Sequence, residues 1–175
     1  MSFKNIPIGE KAPKIINAVV EVPKGSHQKF EYDEGIDAIR LDRLLYGAVF
    51  FPNDYGFIPE TRSTDGDHLD VLIIVSEPLF PGCVVSVLPI GVLDMEDEKG
   101  KDHKIIAVFE HDQLSEKLKT IKDLDEHQQK EIRQFFEVYK QLEKKTVVVN
   151  GFLDKEEAYK LIEEARTRFS KAENM

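Results

Sequence analysis

The strongest pattern in the chain is an unbroken apolar run, Val71-Leu72-Ile73-Ile74-Val75. It is short and β-branched, which predicts a buried strand. Residues 14–22 predict a first strand, ended by Pro23 and Gly25. Residues 29–33 alternate, with Lys29, Glu31 and Asp33 on one face and Phe30 and Tyr32 on the other. After the turn signal Glu34-Gly35, residues 36–43 alternate again, Ile39 and Leu41 against Arg40 and Asp42. Arg43 falls on the apolar side, so either the strand has ended or a cation points inward and needs an anion. Residues 44–62 are aromatic-rich but interrupted by Pro52, Gly56 and Pro59, which predicts a structured loop with extended pieces.

Residues 83–94 and 104–110 predict a β-hairpin with Glu98-Lys99-Gly100 at its tip. Residues 125–144 predict a helix. Its apolar stripe is Ile132, Phe135, Phe136, Tyr139 and Leu142, its capping box is Asp125 with Gln128, and Lys144-Lys145 suit its C-terminal dipole. Residues 146–152 predict a last strand, and Asp154 with Glu157 caps a second helix with the stripe Ala158, Leu161, Ile162, Ala165 and Phe169. Short strands joined by tight turns, then two helices, predict an α+β fold with a small closed or partly closed barrel. At 175 residues, residues 1–175 are expected to form a single domain.

Composition narrows the classes. Hydrophobic residues make up 41%, so disorder and a membrane-embedded fold are both disfavoured. The longest apolar stretch, Leu44 to Phe51, is far too short to span a bilayer, and the first residues lack the apolar core of a signal peptide. A single cysteine, Cys83, excludes an internal disulfide and fits a reducing cytoplasm; after Pro81-Gly82 it reads as a small buried hydrophobe opening a strand. The net charge of −9, from 33 acidic and 24 basic residues, disfavours nucleic acid as a partner.

The candidate chemistry lies just before the apolar run. Asp65-Gly66-Asp67-His68-Leu69-Asp70 sets three carboxylates at the lip of a rigid element. Unpaired, they would repel one another. Oxygen-only ligands suit a hard cation such as Mg²⁺ or Mn²⁺. A calcium EF-hand is excluded, because Asp70 and Ser76 stand where that loop needs Gly and Glu. Asp97 and Asp102 flank the hairpin tip, with Lys104 beyond.

If these pieces converge with the early strand, one pocket holds Glu31, Asp65, Asp67, Asp70, Asp97 and Asp102, with Glu21 able to join, against Lys29, Arg43, Lys104 and Lys140. Seven carboxylates against four cations leave −3. Such a pocket binds a phosphate compound of charge about −4 only with about three or four divalent ions, which points to metal-assisted phosphoryl transfer to water. A two-metal phosphodiesterase shares that chemistry but wants room for a long substrate. A nucleic-acid-binding module would want a basic groove with stacking aromatics.

Several segments then carry a resemblance. Val20-Glu21-Val22-Pro23, Lys29-Phe30-Glu31, Asp42-Arg43, Phe51-Pro52-Asn53-Asp54-Tyr55-Gly56, the acidic hexapeptide, Gly91 to Asp97 with Gly100 to Lys104, and Phe135 to Lys140 stand in the order and spacing of the family I soluble inorganic pyrophosphatases, which the chain resembles almost end to end. The resemblance implies an OB-like five-stranded β-barrel with additional strands and two flanking C-terminal helices. It implies hydrolysis of pyrophosphate with three to four Mg²⁺ ions, other divalent metals such as Mn²⁺ being possible.

By position, Asp65, Asp70 and Asp102 would hold a first metal, with Asp70 also bridging to a second. Asp97 and Asp102 would hold a third, and Glu31 a fourth, with Glu21 in support. Asp67 would orient and deprotonate the attacking water, while Lys29, Arg43, Lys104, Lys140, Tyr55 and Tyr139 would grip phosphate oxygens. The short length is similar to the bacterial, homohexameric members. Three positions depart from the family pattern: Phe51 for Tyr, Asp54 for Asn, which adds a negative charge, and His68 for Pro, which adds an imidazole that could titrate or bind a transition metal.

Overall fold

The computed structural model describes residues 2–173. Nine strands form, as two separate ladders. Five of them close a ring: β1 (Ile16–Val22), β4 (Asp54–Ile58), β5 (Leu69–Ile74), β6 (Val84–Asp97) and β8 (Lys104–Phe109). Going round, β1 pairs β4, β4 pairs β5, β5 pairs β8, β8 pairs β6, and β6 returns to β1. Closure leaves the ring no free edge. The long β6 also carries β7 (Gly100–Lys101) and β9 (Val148–Leu153). The remaining pair, β2 (Gln28–Asp33) and β3 (Ala38–Leu44), is a two-stranded ribbon that joins no barrel strand.

The barrel strands read as continuous apolar runs because both their faces are covered. Val71 and Ile73 of β5 belong to one core, which helix α2 (Lys155–Glu173) closes with Ala158, Ile162 and Ala165. Leu72 and Ile74 belong to the other, closed by helix α1 (Glu126–Val138) through Ile132, Phe135 and Phe136.

The Asp125–Gln128 capping box forms, and Asp154 accepts from the Glu157 amide at 3.1 Å. The first helix is shorter than its apolar stripe predicts. It ends at Val138, and a 3₁₀ turn over Gln141–Glu143 follows, closed by Lys144 in the left-handed region. Tyr139 and Lys140 therefore sit at a helix end. Leu142 is exposed, so it adds nothing to the core. Cys83 is half-buried and precedes β6 instead of opening it.

The stretch 44–62 is more regular than expected, since β4 is a fully buried barrel strand. Gly56 in its middle hides it from a propensity reading and also makes it possible. A Cβ there would stand 1.9 Å from the Val19 carbonyl oxygen, so only glycine lets β1 and β4 approach this closely.

Two β-bulges aim side chains off the regular pleat. In β1 the register slips between Val20 and Val22, so Glu21 is the extra residue, and its carboxylate accepts the Tyr32 amide of the ribbon at 2.7 Å. In β3 the extra residue is Asp42: Phe30 faces Leu41 while Lys29 faces Arg43. This resolves the ambiguity at Arg43. The bulge swings it to the face it shares with Lys29, where Glu143 supplies the anion at 2.8 Å. Burial, reinforced by the Asp70 charge, pushes the Glu21 carboxyl up to about 8.

Two expectations follow from this architecture. Gly56→Ala should lower unfolding free energy by about 3 kcal/mol, at the upper end of overpacking costs, because the clash is with backbone. Urea denaturation that finds a loss below about 1 kcal/mol would contradict the close approach.

The second concerns Glu21. From its ordinary value up to about pH 8, the folded protein keeps a proton the unfolded chain has released, so stability falls as pH rises through that window. Glu21→Gln removes the dependence. In EDTA, the stability difference between variant and wild type should grow in the variant's favour from pH 5 to 8. A difference constant over that range would show that Glu21 is ionised in the fold.

Candidate active site

The β5–β8 pair is parallel, with Val71 opposite Ile105. Asp70 and Lys104, one residue earlier on each strand, are therefore neighbours at the same barrel end. The acidic loop before β5 and the β6–β8 hairpin tip open at that end too. The ribbon and the end of α1 complete the walls of a cleft of about 1020 Å³. All thirteen residues singled out from the sequence line it: Glu21, Lys29, Glu31, Arg43, Tyr55, Asp65, Asp67, Asp70, Asp97, Asp102, Lys104, Tyr139 and Lys140. The wall carries eleven carboxyl side chains against eight lysines and arginines, a formal net of −3 when every one is ionised and −2 with Glu21 protonated.

Lys104 is the centre of the floor. It is 3% exposed, and its ammonium lies 2.5 Å from both Asp70 and Asp102. Burial opposes its charge, but Asp70, the Tyr55 hydroxyl and Asp102 outweigh that and hold its pKa well above the usual value. The Tyr55 ring lies 5.8 Å from the ammonium. Lys140 reaches Asp97 at 3.4 Å and lies 5.3 Å from the Tyr139 ring. On the ribbon, Lys29 bonds Glu31 and lies 3.6 Å from Asp42, which also bonds Arg43. Burial and the neighbouring Arg43 push the Lys29 pKa down.

The acidic loop differs. Ser63 donates its amide to the Asp67 carbonyl at 2.7 Å, Gly66 turns the chain with φ +97°, and Asp67 donates its amide to the Asp65 carboxylate at 3.2 Å. Among the described residues no ion pair reaches the carboxylate of Asp65 or Asp67. Burial, then the charges of Asp65 and Asp70, raise the Asp67 pKa.

Among the described residues no three acidic, histidine or cysteine side chains stand together as a ready metal cage, and the Lys104 ammonium occupies the space between Asp70 and Asp102. The donors facing the cleft are nonetheless almost all carboxylate oxygens, and two of them lack a counter-charge. That donor chemistry fits hard divalent cations.

The three departures fall in different places. Asp54 is fully buried away from the cleft and accepts the amides of Lys24 (2.6 Å) and Leu79 (2.8 Å), so its charge does not enter the pocket. Phe51 is core, its ring 5.5 Å from that of Tyr55 and 4.7 Å from that of Phe135. His68 lines the wall, stacked on Phe57 at 4.8 Å, with Nδ1 donating to the Thr61 carbonyl and Nε2 facing Glu34. Burial, then Arg62, lower its pKa.

Sequence reasoning missed Glu143, Tyr32 and Glu34. Glu143 lies 100 residues from the arginine it holds, so no spacing announces it. Tyr32 lies inside the alternating segment, on its apolar face, and Glu34 in the turn after it, so neither position announces a place in the cleft.

The chain is similar throughout to proteins of one kind. The family model described as "Inorganic pyrophosphatase" matches residues 18–170. An inorganic pyrophosphatase of Methanosarcina mazei is 47% identical over 157 residues, covering 90% of this chain and 93% of that one. The crystal structure of inorganic pyrophosphatase from Thermus thermophilus superposes with a TM-score of 0.94 at 45% identity, covering 97% of this chain and 99% of that one. The inorganic pyrophosphatase of Helicobacter pylori gives 0.90 at 39% identity, over 95% and 99%. The fold, with its five-stranded ring and two C-terminal helices, is that of these structures, and the chain belongs to the inorganic pyrophosphatase family.

Proposed function

We infer that this chain hydrolyses inorganic pyrophosphate to two phosphates in the acidic cleft, with divalent cations as cofactors. The observation that carries the reading is that all thirteen residues of the family pattern line one cleft in a chain matched to that family over residues 18–170. A wall that stays net negative even with Glu21 protonated cannot hold a tetra-anion unaided. About three or four Mg²⁺ ions, or Mn²⁺ in their place, would offset the charge and make water more acidic at neutral pH.

In this reading Asp65, Asp70, Asp97, Asp102 and Glu31 hold the cations, with Glu21 in support. Lys29, Arg43, Lys104 and Lys140 grip phosphate oxygens, and the buried hydroxyls of Tyr55 and Tyr139 donate to them. Asp67 is the base. It has no counter-ion, and its raised pKa suits it to accept a proton from the attacking water better than a free carboxylate does. Lys104, held protonated, is a fixed positive charge on the floor and orients the substrate in line.

No helix among the described residues is long and apolar enough to cross a membrane. The free thiol Cys83 suits a reducing cytoplasm. We also infer a homohexamer, about 120 kDa for six chains of 20.1 kDa.

A phosphate-release assay tests the activity. Pyrophosphate should be cleaved with Mg²⁺ and not in EDTA, and a dinucleotide should not be cleaved; robust turnover without metal would overturn the reading. Asp67→Asn should lower turnover by about two to four orders of magnitude while weakening Mg²⁺ binding, measured by titration calorimetry, far less than Asp70→Asn does. Equal loss of metal in both variants would reassign Asp67 as a ligand. Light scattering that shows a stable monomer at micromolar concentration would exclude the hexamer.

A further inference from the structure

Glu34 sits on the turn between β2 and β3, outside the residues given a role above. Its carboxylate makes a two-sided contact: Oε1 accepts from Arg62 Nη1 at 2.5 Å, and Oε2 accepts from Nη2 at 3.1 Å. The same Nη1 also donates to His68 Nε2 at 3.3 Å, so the Arg62 guanidinium bridges Glu34 and His68. A bidentate arginine–carboxylate pair is geometrically specific as well as attractive.

Each partner is anchored to a different part of the molecule. Arg62 is a fixed post. Its amide donates to the Ala165 carbonyl at 3.0 Å, its own carbonyl accepts from Arg168 Nε at 2.7 Å, and its guanidinium lies 5.4 Å from the Phe169 ring, so α2 holds it on three sides. His68 ends the acidic loop. Its Nδ1 donates to the Thr61 carbonyl at 3.0 Å, and its ring stacks on Phe57 and on Tyr32 of the ribbon. Glu34 belongs to the ribbon, which carries Lys29, Glu31 and Arg43 and shares no backbone ladder with the barrel. One carboxylate–guanidinium pair therefore joins the ribbon, the α2 post and the last residue before β5.

The geometry points to Glu34 as a positioning residue. Through Arg62, whose guanidinium in turn binds His68, it holds the acidic loop against the ribbon, and so sets where Asp67 stands relative to Lys29 and Arg43 across the cleft. Loop and ribbon have few other direct ties. The loop's own bonds, Ser63 amide to Asp67 carbonyl and Leu69 amide to Thr61 hydroxyl, keep its shape but do not fix its distance from the ribbon. The proposal rests on the assignment of Asp67 as the base. A displacement of about 1 Å at a reacting group costs up to about a hundredfold in rate while leaving binding groups intact.

The test compares Glu34→Ala with wild type by two measurements. Hydrogen–deuterium exchange on the metal-free proteins should show residues 61–70 exchanging about 10-fold faster in the variant, with β1, β6 and β8 unchanged. Steady-state kinetics should show kcat reduced about 10-fold or more, with KM for pyrophosphate within about twofold. A residue that merely stabilised the fold would speed exchange throughout and leave kcat intact. Exchange of 61–70 at the wild-type rate overturns the proposal, and so does faster exchange with unchanged kcat. Failure of the underlying reading shows separately, as normal turnover in Asp67→Asn. The exchange result still decides whether Glu34 holds the loop.

Discussion

The cleft depends on one strand pairing. Consecutive strands in small barrels usually run antiparallel, which sends successive loops to opposite ends. Here β5 and β8 run parallel, with Val71 beside Ile105. The chain must cross over between them, and β6 with its hairpin provides the crossover. Both strands then begin at one mouth. The acidic loop before β5 and the β6–β8 hairpin tip meet there, and Asp70 and Lys104 become neighbours although 34 residues separate them. Had the pair been antiparallel, the carboxylates of the hairpin tip would lie at the far end from those of the acidic loop.

Bringing so many carboxylates together has an electrostatic cost, which the fold meets in three ways. Lys104 is buried between two of them and stays charged because both are close. Glu21, with the least access to water, accepts a backbone amide and keeps its proton up to about pH 8. Asp65 and Asp67 stay on the exposed rim of the cleft. Charge is thus neutralised with depth and left open at the mouth.

Much of this was legible in the chain. The run Val71 to Val75, the two helix caps and the hairpin around Gly100 are local signals, and each forms where its pattern lies. What was hidden depends on a partner. Strand β4 carries Asp54 and Gly56, poor strand formers, and only the approach of Val19 explains them. The bulges at Glu21 and Asp42 are slips in register, and a register belongs to two strands. Arg43 could be read from the chain only as a cation in an odd place; its partner Glu143 comes from a turn at the far end of α1. The clustered carboxylates and Lys29, Arg43 and Lys104 stood out by their charge, whereas Tyr55 and Tyr139 were placed in the cleft only by the family resemblance, and Tyr32 and Glu34 of its wall were not picked out at all.

The two-stranded ribbon has its own backbone ladder and rests on the rest of the molecule through side chains: the Glu21 carboxylate, the Tyr32 ring on Phe57, Arg43 on Glu143 and Glu34 on Arg62. It is therefore a separate cooperative unit, with an opening free energy below that of the barrel. Lys29 and Arg43, half of the cationic grip proposed for the substrate, sit on this weaker unit. On gentle heating the protein should become inactive while its barrel is still folded, so a thermal half-life measured by activity reports the detachment of the ribbon and not the melting of the molecule.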